Sequence, residues 1–365
     1  MNEKKLNDPN HVFIIAEAGS NWKCGTFEED LEQSKKLIKA AANVGADAVK
    51  FQTYKPETIY SFNAGRSNYL SENGINENIN ELFEYLSMPY EMIPELAGMC
   101  KDENIMFMST PFSVEDAKEI DPFVDIHKVA SFEINHVRLL EFLAETKKPM
   151  LISTGASTYE EIDFAVNLVK SKTSFSLLQC TSKYPCEINA LNLSVIPKMK
   201  SRYNVSVGLS DHSIDPIIGP QVAVGLGATI IEKHFTLDQS LPGPDHSFAL
   251  TPSSLKSMIS TIRDTERAIA SDKNFVLTDI HKPALGNGEK IILEEEKELQ
   301  RFAKRSLQAI KDIQKNDILE EGVNFEILRP GNRTKGLSPQ FLQQINGKRS
   351  LDKVKKGDGI LHFKE

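Results

Sequence analysis

Short apolar runs recur along the chain up to about residue 240, with helix-like stretches between them. The runs are Val12–Ala16, Ala46–Phe51, Ile105–Met108, Ile126–Ala130, Met150–Ile152, Phe175–Cys180, Val205–Leu209 and Ala228–Glu232. Their hydrophobicity is continuous rather than alternating, as expected of strands buried on both faces. The stretches between them carry helix signals. Thr26-x-x-Glu29 is a capping box that opens a segment with Leu31, Leu37, Ile38 and Ala41 on one face before Gly45. Ser113-x-x-Asp116 and Thr158-x-x-Glu161 repeat that start signal, the second ahead of Ile162, Ala165, Val166 and Val169. Thr251-Pro252 reads as an N-cap and first helical residue before Leu255, Met258, Ile259 and Ile262. Eight strand–helix units in one sheet predict an α/β fold, a closed (β/α)8 TIM barrel rather than an open doubly wound sheet.

Two segments depart from this beat. The insert between Phe51 and Ile105 has helical segments of its own and is expected over the C-terminal mouth of the barrel. Around residues 271–300 the pattern lapses into charge, with Glu294-Glu295-Glu296-Lys297-Glu298, which reads as a solvated linker helix. The expected plan is a barrel over residues 1–270, a linker over 271–300 and a small β-rich domain over 301–365. In that last part Ile313-x-Lys315-Asn316-Asp317-x-Leu319 is echoed by Val354-x-Lys356-Gly357-Asp358-x-Ile360. A module of about 60 residues is too small to be very stable alone and needs a neighbour.

Composition narrows the partners. Apolar residues at 40% and charged residues at 26% are the balance of a soluble globular protein. No apolar run approaches the roughly 18 residues of a membrane span. The start Met1-Asn2-Glu3-Lys4-Lys5 lacks a signal peptide's apolar stretch, so a cytoplasmic location is expected, with no membrane partner. Cys24, Cys100, Cys180 and Cys186 show no CxxC spacing, and neither a zinc site nor a disulfide framework follows. The net charge of −8 argues against nucleic acid as a partner. It leaves room for an anionic substrate in a local cationic pocket.

Residues just past each strand of such a barrel converge on one site. In order they are Glu17, then Lys50 and Gln52, then Ser109 and Thr110, then Lys128, Ser131 and Glu133, then Ser153 and Thr154. The last three strands supply Thr181, Ser182 and Tyr184, then Ser210, Asp211 and His212, then Lys233 and His234. Lys50 and Lys128, with Thr110, Ser131, Ser153 and Ser210, suit a compact dianion such as a phosphorylated carboxylate. A lysine at a barrel mouth equally suits a Schiff-base nucleophile, as in lysine-dependent aldolases. His212 and His234 end adjacent strands, as either two ligands of one metal or a hydrogen-bonded pair.

Several segments, taken together, resemble the sialic acid synthase family, which spans N-acetylneuraminate, legionaminate and pseudaminate synthases. They are Ile14-Ile15-Ala16-Glu17-x-Gly19, Lys50-Phe51-Gln52-Thr53, Ser109-Thr110-Pro111-Phe112, Lys128-x-x-Ser131-x-Glu133, Ser153-Thr154-Gly155 and Cys180-Thr181-x-x-Tyr184-Pro185. Val207-Gly208-Leu209-Ser210-Asp211-His212, Glu232-Lys233-His234-Phe235-Thr236-Leu237-Asp238 and Gly243-Pro244-Asp245-His246 extend the likeness. Residues 301–365, with Arg305-Ser306-Leu307, Arg329-Pro330-Gly331 and Gly347-Lys348, look like the antifreeze-like (SAF) domain of those synthases.

The resemblance implies condensation of phosphoenolpyruvate with an open-chain N-acetylated amino sugar such as N-acetylmannosamine, releasing phosphate and a nine-carbon sugar acid. It implies that Lys50, Thr110, Lys128, Ser131, Ser153 and Ser210 hold phosphoenolpyruvate, with Ser182 where the family often has Asn. Manganese or magnesium would sit on His212 and His234. Glu17, Gln52, Glu133, Tyr184 and Asp245 would face the sugar, Glu17 and Glu133 being the candidate catalytic carboxylates. Arg329 would cross from a partner chain's C-terminal domain in a domain-swapped homodimer. Trp22 stands where the family usually has His. The subfamily signals are mixed, Lys128–Glu133 resembling pseudaminic acid synthases and Gly243–His246 the neuraminic and legionaminic branch. The competing readings are a lysine Schiff-base aldolase and a non-catalytic sugar-binding protein.

Overall fold

The computed structural model describes the chain except residues 1–5, 7, 9, 73–74, 272–274 and 365. The Met1–Lys5 start lies outside the described residues. Each of the eight apolar runs forms a strand: β1 (Phe13–Gly19), β2 (Ala48–Thr53), β3 (Met106–Pro111), β4 (His127–Val129), β5 (Met150–Ser153), β6 (Phe175–Cys180), β7 (Val207–Asp211) and β8 (Ile230–His234). The ladders are parallel, in the order β3-β2-β1-β8-β7-β6-β5-β4. β3 and β4 then lie against each other, which brings the ends of the sheet together into a barrel.

Both faces of the strands are covered, and alternation decides which side chain goes where. Phe13, Ile15, Ala48, Met106, Met108, Ile126, Leu151, Leu178 and Ile230 form one buried cluster, the barrel interior. Ile14, Ala16, Val49, Phe107, Ile152, Leu177, Leu209 and Ile231 pack in a second, larger cluster with the helices. β7 and β8 approach closely because position 208 has no side chain. A Cβ on Gly208 would lie 2.4 Å from the Ile230 carbonyl oxygen.

The helices are α1 (Phe27–Asn43), α2 (Met92–Asp102), α3 (Val114–Ile120), α4 (Val137–Glu145), α5 (Tyr159–Val169), α6 (Val195–Tyr203), α7 (Ile218–Gly225) and α8 (Pro252–Ala270), of which α1, α3, α5 and α8 start at the sequence signals. At α1 the capping box is complete, with Glu29 N donating to Thr26 Oγ1 at 3.3 Å and Thr26 N donating to Glu29 Oε2 at 2.8 Å. Ser113 accepts from Asp116 N ahead of α3, and Thr251 accepts from Ser254 N ahead of α8.

The 51–105 insert covers the mouth. Its Tyr54, Ile59, Tyr60, Ala64, Leu70, Ile79 and Leu86 pack with Phe112 and Phe302 in a cluster of their own. The C-terminal residues form a second small core. β9 (Ser306–Ala309) pairs antiparallel with β10 (Phe325–Leu328), and Leu307, Ile313, Leu319, Phe325, Ile327, Val354 and Ile360 are buried together. The two echoed turns meet each other. Ile313 and Val354 exchange backbone hydrogen bonds of 2.8 and 2.9 Å, so the repeat in the sequence is an internal pairing in the structure.

The charged stretch is not a solvated linker helix. It forms a helical turn at Lys282–Leu285 and a helix α9 (Lys297–Ala303), and His281, Ala284, Lys290 and Glu296 along it are buried. Glu294, Glu295, Lys297 and Glu298 face water, but Lys290 and Glu296 are matched by groups on the barrel. Among the described residues no helix is long and apolar enough to cross a membrane.

Candidate active site

The inner layer of the barrel turns from apolar to polar at one height. Ile15, Ala48, Met108, Ile126, Leu151 and Ile230 belong to the interior core. Two residues further along each strand stand Glu17, Lys50, Thr110, Lys128, Ser153 and Glu232. With a side-chain period of two, all six point to the barrel axis just above that core. The parallel register aligns them, pairing Glu17 with both Lys50 and His234, and Ser210 with Glu232.

Charge and hydrogen bonding in this layer are dense. Lys50 Nζ donates to Thr110 Oγ1 at 2.9 Å, lies 2.5 Å from Glu17 Oε2 and 3.7 Å from Glu232 Oε2. Lys128 Nζ donates to Ser153 Oγ at 2.9 Å and lies 3.4 Å from Glu232 Oε1, which also accepts from Ser210 Oγ at 2.8 Å. Burial alone would raise the Glu232 carboxyl, but Lys128 and Lys50 override it and hold it down at about 2. Burial pushes Glu17 up to about 7 despite Lys50 beside it. Lys128 is lowered by burial, whereas Lys50, also buried, is raised by Glu17 and Glu232. The result is a buried site with two cations, several hydroxyl donors and one carboxyl able to change protonation near neutrality.

Next to it lies a ring cluster. Tyr184 stacks on His212 with centroids 4.0 Å apart, and His212 and His234 are 5.6 Å apart, with Phe248 against His234 at 5.1 Å. His212 Nδ1 lies 2.8 Å from the Thr181 carbonyl oxygen, an acceptor, so this nitrogen carries a proton and Nε2 is the one left for a metal; burial would lower the ring, but Cys180 and the Thr181 bond raise it. His234 Nδ1 is buried without a hydrogen-bond partner. Burial, with His212 and Lys50 nearby, holds His234 well below the ordinary range, so it is neutral. Two imidazoles with available nitrogens fit a divalent metal that takes its other ligands from substrate and water. Among the described residues no cluster of three or more His, Cys, Asp or Glu adds a further protein ligand.

Above these groups opens a cavity of about 180 Å³. Gln52, Tyr184, His234 and Asp245 form its polar floor, and Tyr60, Leu70, Ile79, Phe83, Phe112 and Phe132 its walls. Gln52 Nε2 donates to Glu17 Oε1 at 3.1 Å, and Ser20 Oγ donates to Asp245 Oδ2 at 3.3 Å. Arg329 closes the cavity from the C-terminal module. Its backbone N donates to the Ile59 carbonyl at 2.7 Å, and its guanidinium pairs with Glu133 and stands over Tyr60, Phe112 and Phe132 at 5.2–5.5 Å.

Residues 37–274 match the NeuB family model. The chain belongs to the NeuB family. The spore coat polysaccharide biosynthesis protein SpsE of Bacillus subtilis is 36% identical over 357 residues, covering 96% of this chain and 92% of that protein. The pseudaminic acid synthase of Campylobacter jejuni is 36% identical over 362 residues, covering 97% of each. The crystal structure of Bacillus subtilis SpsE aligns with a TM-score of 0.82 at 34% identity, over 96% of this chain and 94% of that one.

For this NeuB-family chain the residues expected at the mouth come together, with two changes of place. Glu133, expected as a catalytic carboxylate, is fully buried with one oxygen paired to Arg305 and the other to Arg329. Burial would raise it, but the Arg305 and Arg329 guanidinium groups lower it and hold it as an anion between them. Arg329, expected from a partner's C-terminal domain, sits on the barrel of its own chain, because the module is bonded there through Arg305, Ser61 and Asn332. Trp22, which stands where the family usually has His, is buried in the core between barrel and helices.

Three buried charges of this NeuB-family site carry no site role in the sequence reading: Glu232, Arg305 and Glu296. Glu232 stood at the end of an apolar run, although its spacing of two from His234 places it on the inward face. Arg305 donates to Glu133 and to the carbonyls of Thr58, Ile59, Phe112 and Ile327, which locks module to barrel. Glu296 was hidden in a charge run.

Proposed function

We propose that this protein is a nonulosonic acid synthase that condenses phosphoenolpyruvate with an N-acylated amino-sugar aldehyde and releases phosphate. The observation that carries the reading is the Lys50–Glu232–Lys128 array with its hydroxyls, set beside the His212 and His234 imidazoles under a sugar-sized cavity. In this reading Lys50, Thr110, Lys128, Ser131, Ser153, Ser182 and Ser210 bind phosphoenolpyruvate, and His212 and His234 hold manganese or magnesium. Gln52, Tyr184, Asp245 and Arg329 face the sugar.

The chain's own groups act as follows. Lys50 and Lys128 neutralise the carboxylate and phosphate of phosphoenolpyruvate and aim its methylene carbon at the aldehyde. When bound, the metal supplies Lewis-acid polarisation of the aldehyde oxygen. Carbon–carbon bond formation leaves an electron-poor carbon at C2. Glu17, with its carboxyl near 7, takes the proton of the water that adds there. The tetrahedral intermediate expels phosphate by carbon–oxygen cleavage, and no covalent bond to the chain forms. The apolar insert and the cap keep stray water out.

The cavity walls favour a neutral, acylated sugar over a phosphorylated one. Arg329 is the cation among the described lining residues, and Glu133 already neutralises it. An N-acyl methyl or a deoxygenated carbon suits Tyr60, Leu70, Ile79 and Phe83, as in substrates of the pseudaminic or legionaminic type. The aldolase alternative loses ground at Lys50, which Glu17 and Glu232 keep protonated. Borohydride trapping with pyruvate tests it at Lys128. The cap, residues 301–365, is assigned as an antifreeze-like domain and the active form as a homodimer, each cap closing its own barrel. The free state of the cysteines accords with a reducing cytoplasm. Phosphate release from phosphoenolpyruvate over a panel of amino sugars, with mass spectrometry of the product, tests the function. No release with any N-acylated hexosamine would overturn it.

A further inference from the structure

Glu296 is 2% exposed, although its neighbours Glu294 and Glu295 face water. One of its oxygens, Oε1, accepts two backbone hydrogen bonds of 2.7 Å each, from Ala156 N and from Ser182 N. The other, Oε2, accepts from Leu293 N at 3.0 Å. Ala156 lies in the loop after β5 and Ser182 in the loop after β6. A single carboxylate oxygen therefore ties two mouth loops together, and charge-assisted bonds of this kind are the strong ones.

The tie meets the loops where their geometry is most demanding. Ala156 has φ of 46°, a left-handed conformation that a residue with a Cβ rarely adopts and that its surroundings must hold. Gly155 beside it donates from N to Ser131 Oγ at 3.0 Å. A Cβ on Gly155 would lie 2.3 Å from Ser182 Oγ and 2.9 Å from Ser131 Oγ, so the two hydroxyls close in on this glycine. Ser182 Oγ is buried and has no hydrogen-bond partner. The rest of the segment is anchored on both sides of Glu296. Lys290 Nζ donates to Gln179 Oε1 at 3.0 Å, and Lys304 Nζ donates to Ser157 Oγ at 2.7 Å and to the Ala156 carbonyl at 3.2 Å.

We propose that Glu296 is a positioning residue for phosphoenolpyruvate: by holding the Ala156 and Ser182 amides it sets the spacing of the Ser131 and Ser182 hydroxyls around Gly155. It touches no substrate. The segment joining barrel to cap thereby becomes part of the anion pocket, an inference that rests on the synthase reading above.

The test starts with phosphoenolpyruvate binding to the wild-type protein by calorimetry. Absence of binding defeats the synthase reading, and this proposal with it. Given binding, Glu296→Ala should raise the KM for phosphoenolpyruvate about tenfold or more, the loss of a charge-assisted pair. The KM for the amino sugar should hold. Glu296→Gln, whose amide oxygen still accepts both N–H groups, should restore most of the affinity. Glu296→Asp, one methylene shorter, should give an intermediate KM and is the deciding variant if the alanine chain does not fold. A lowered melting temperature with an unchanged KM for phosphoenolpyruvate, or an equal rise in both KM values, overturns the proposal.

Discussion

Arg305 reaches from the C-terminal module to Glu133 past the end of β4, and neither side chain of this ion pair has any exposure to solvent. Its remaining donors go to carbonyls of the insert, of the segment after β3 and of β10, so one residue joins three parts of the chain. Removing either partner strands a buried charge, which costs about 3–5 kcal/mol. Arg305→Ala and Glu133→Ala should each lower the urea midpoint accordingly. The double variant should cost less than the sum, because the pair is coupled. Strictly additive losses in that cycle would show that the two residues act independently.

If the imidazole pair holds the metal, as proposed, activity should be metal-dependent. Dialysis against a chelator should abolish phosphate release, and manganese or magnesium should restore it. His212→Ala and His234→Ala should each lower kcat/KM by about 100-fold or more, beyond the cost of losing an outer-shell partner. Metal content by mass spectrometry should fall in parallel. Full turnover of metal-stripped His212→Ala would remove the metal from the mechanism.

Oxygen labelling reports which bond breaks. With phosphoenolpyruvate labelled at the bridging oxygen, the label should leave with phosphate, because water adds to carbon. Label kept in the sugar acid would mean phosphorus–oxygen cleavage.

As the proposed base, Glu17 should set the acid limb of the pH profile. As a base it works deprotonated, so kcat/KM should drop about tenfold per pH unit below its pKa near 7. Glu17→Gln should be slow and flat through that range. Stability runs the other way. Folding raises the Glu17 pKa from an ordinary 4.5 to about 7, so the folded state binds more protons between these values. Its contribution therefore declines as pH rises from about 4.5 to about 7, the reverse of a salt-bridged carboxylate. Unfolding free energy measured against pH, in wild type and Glu17→Gln, checks the sign.

Arg329 closes its own chain's cavity, so complementation should fail. A mixture of Arg329→Ala and His234→Ala chains should show no activity beyond that of the separate chains, even after subunit exchange. Recovery of activity in verified mixed dimers would show that the cap is exchanged between chains.

Local sequence determined the barrel. Runs of apolar residues buried on both faces make strands wherever they occur, and Thr26, Ser113 and Thr251 mark helix starts through hydrogen bonds to residues three positions away. Once a barrel is expected, its geometry gathers the strand ends, and so Lys50, Lys128, His212 and His234 could be placed at one mouth from the sequence alone.

The tertiary structure decided how the buried charges pair. Glu133 looks like any carboxylate at a strand end until Arg305 and Arg329, 172 and 196 residues away, take both of its oxygens. Glu296 has the local surroundings of a solvated charge, and its burial depends on two loop amides that the barrel leaves open 140 and 114 residues earlier. Burying an ion is tolerated only where partners offset the lost hydration. Those partners come from distant segments, and no window of neighbouring residues contains them.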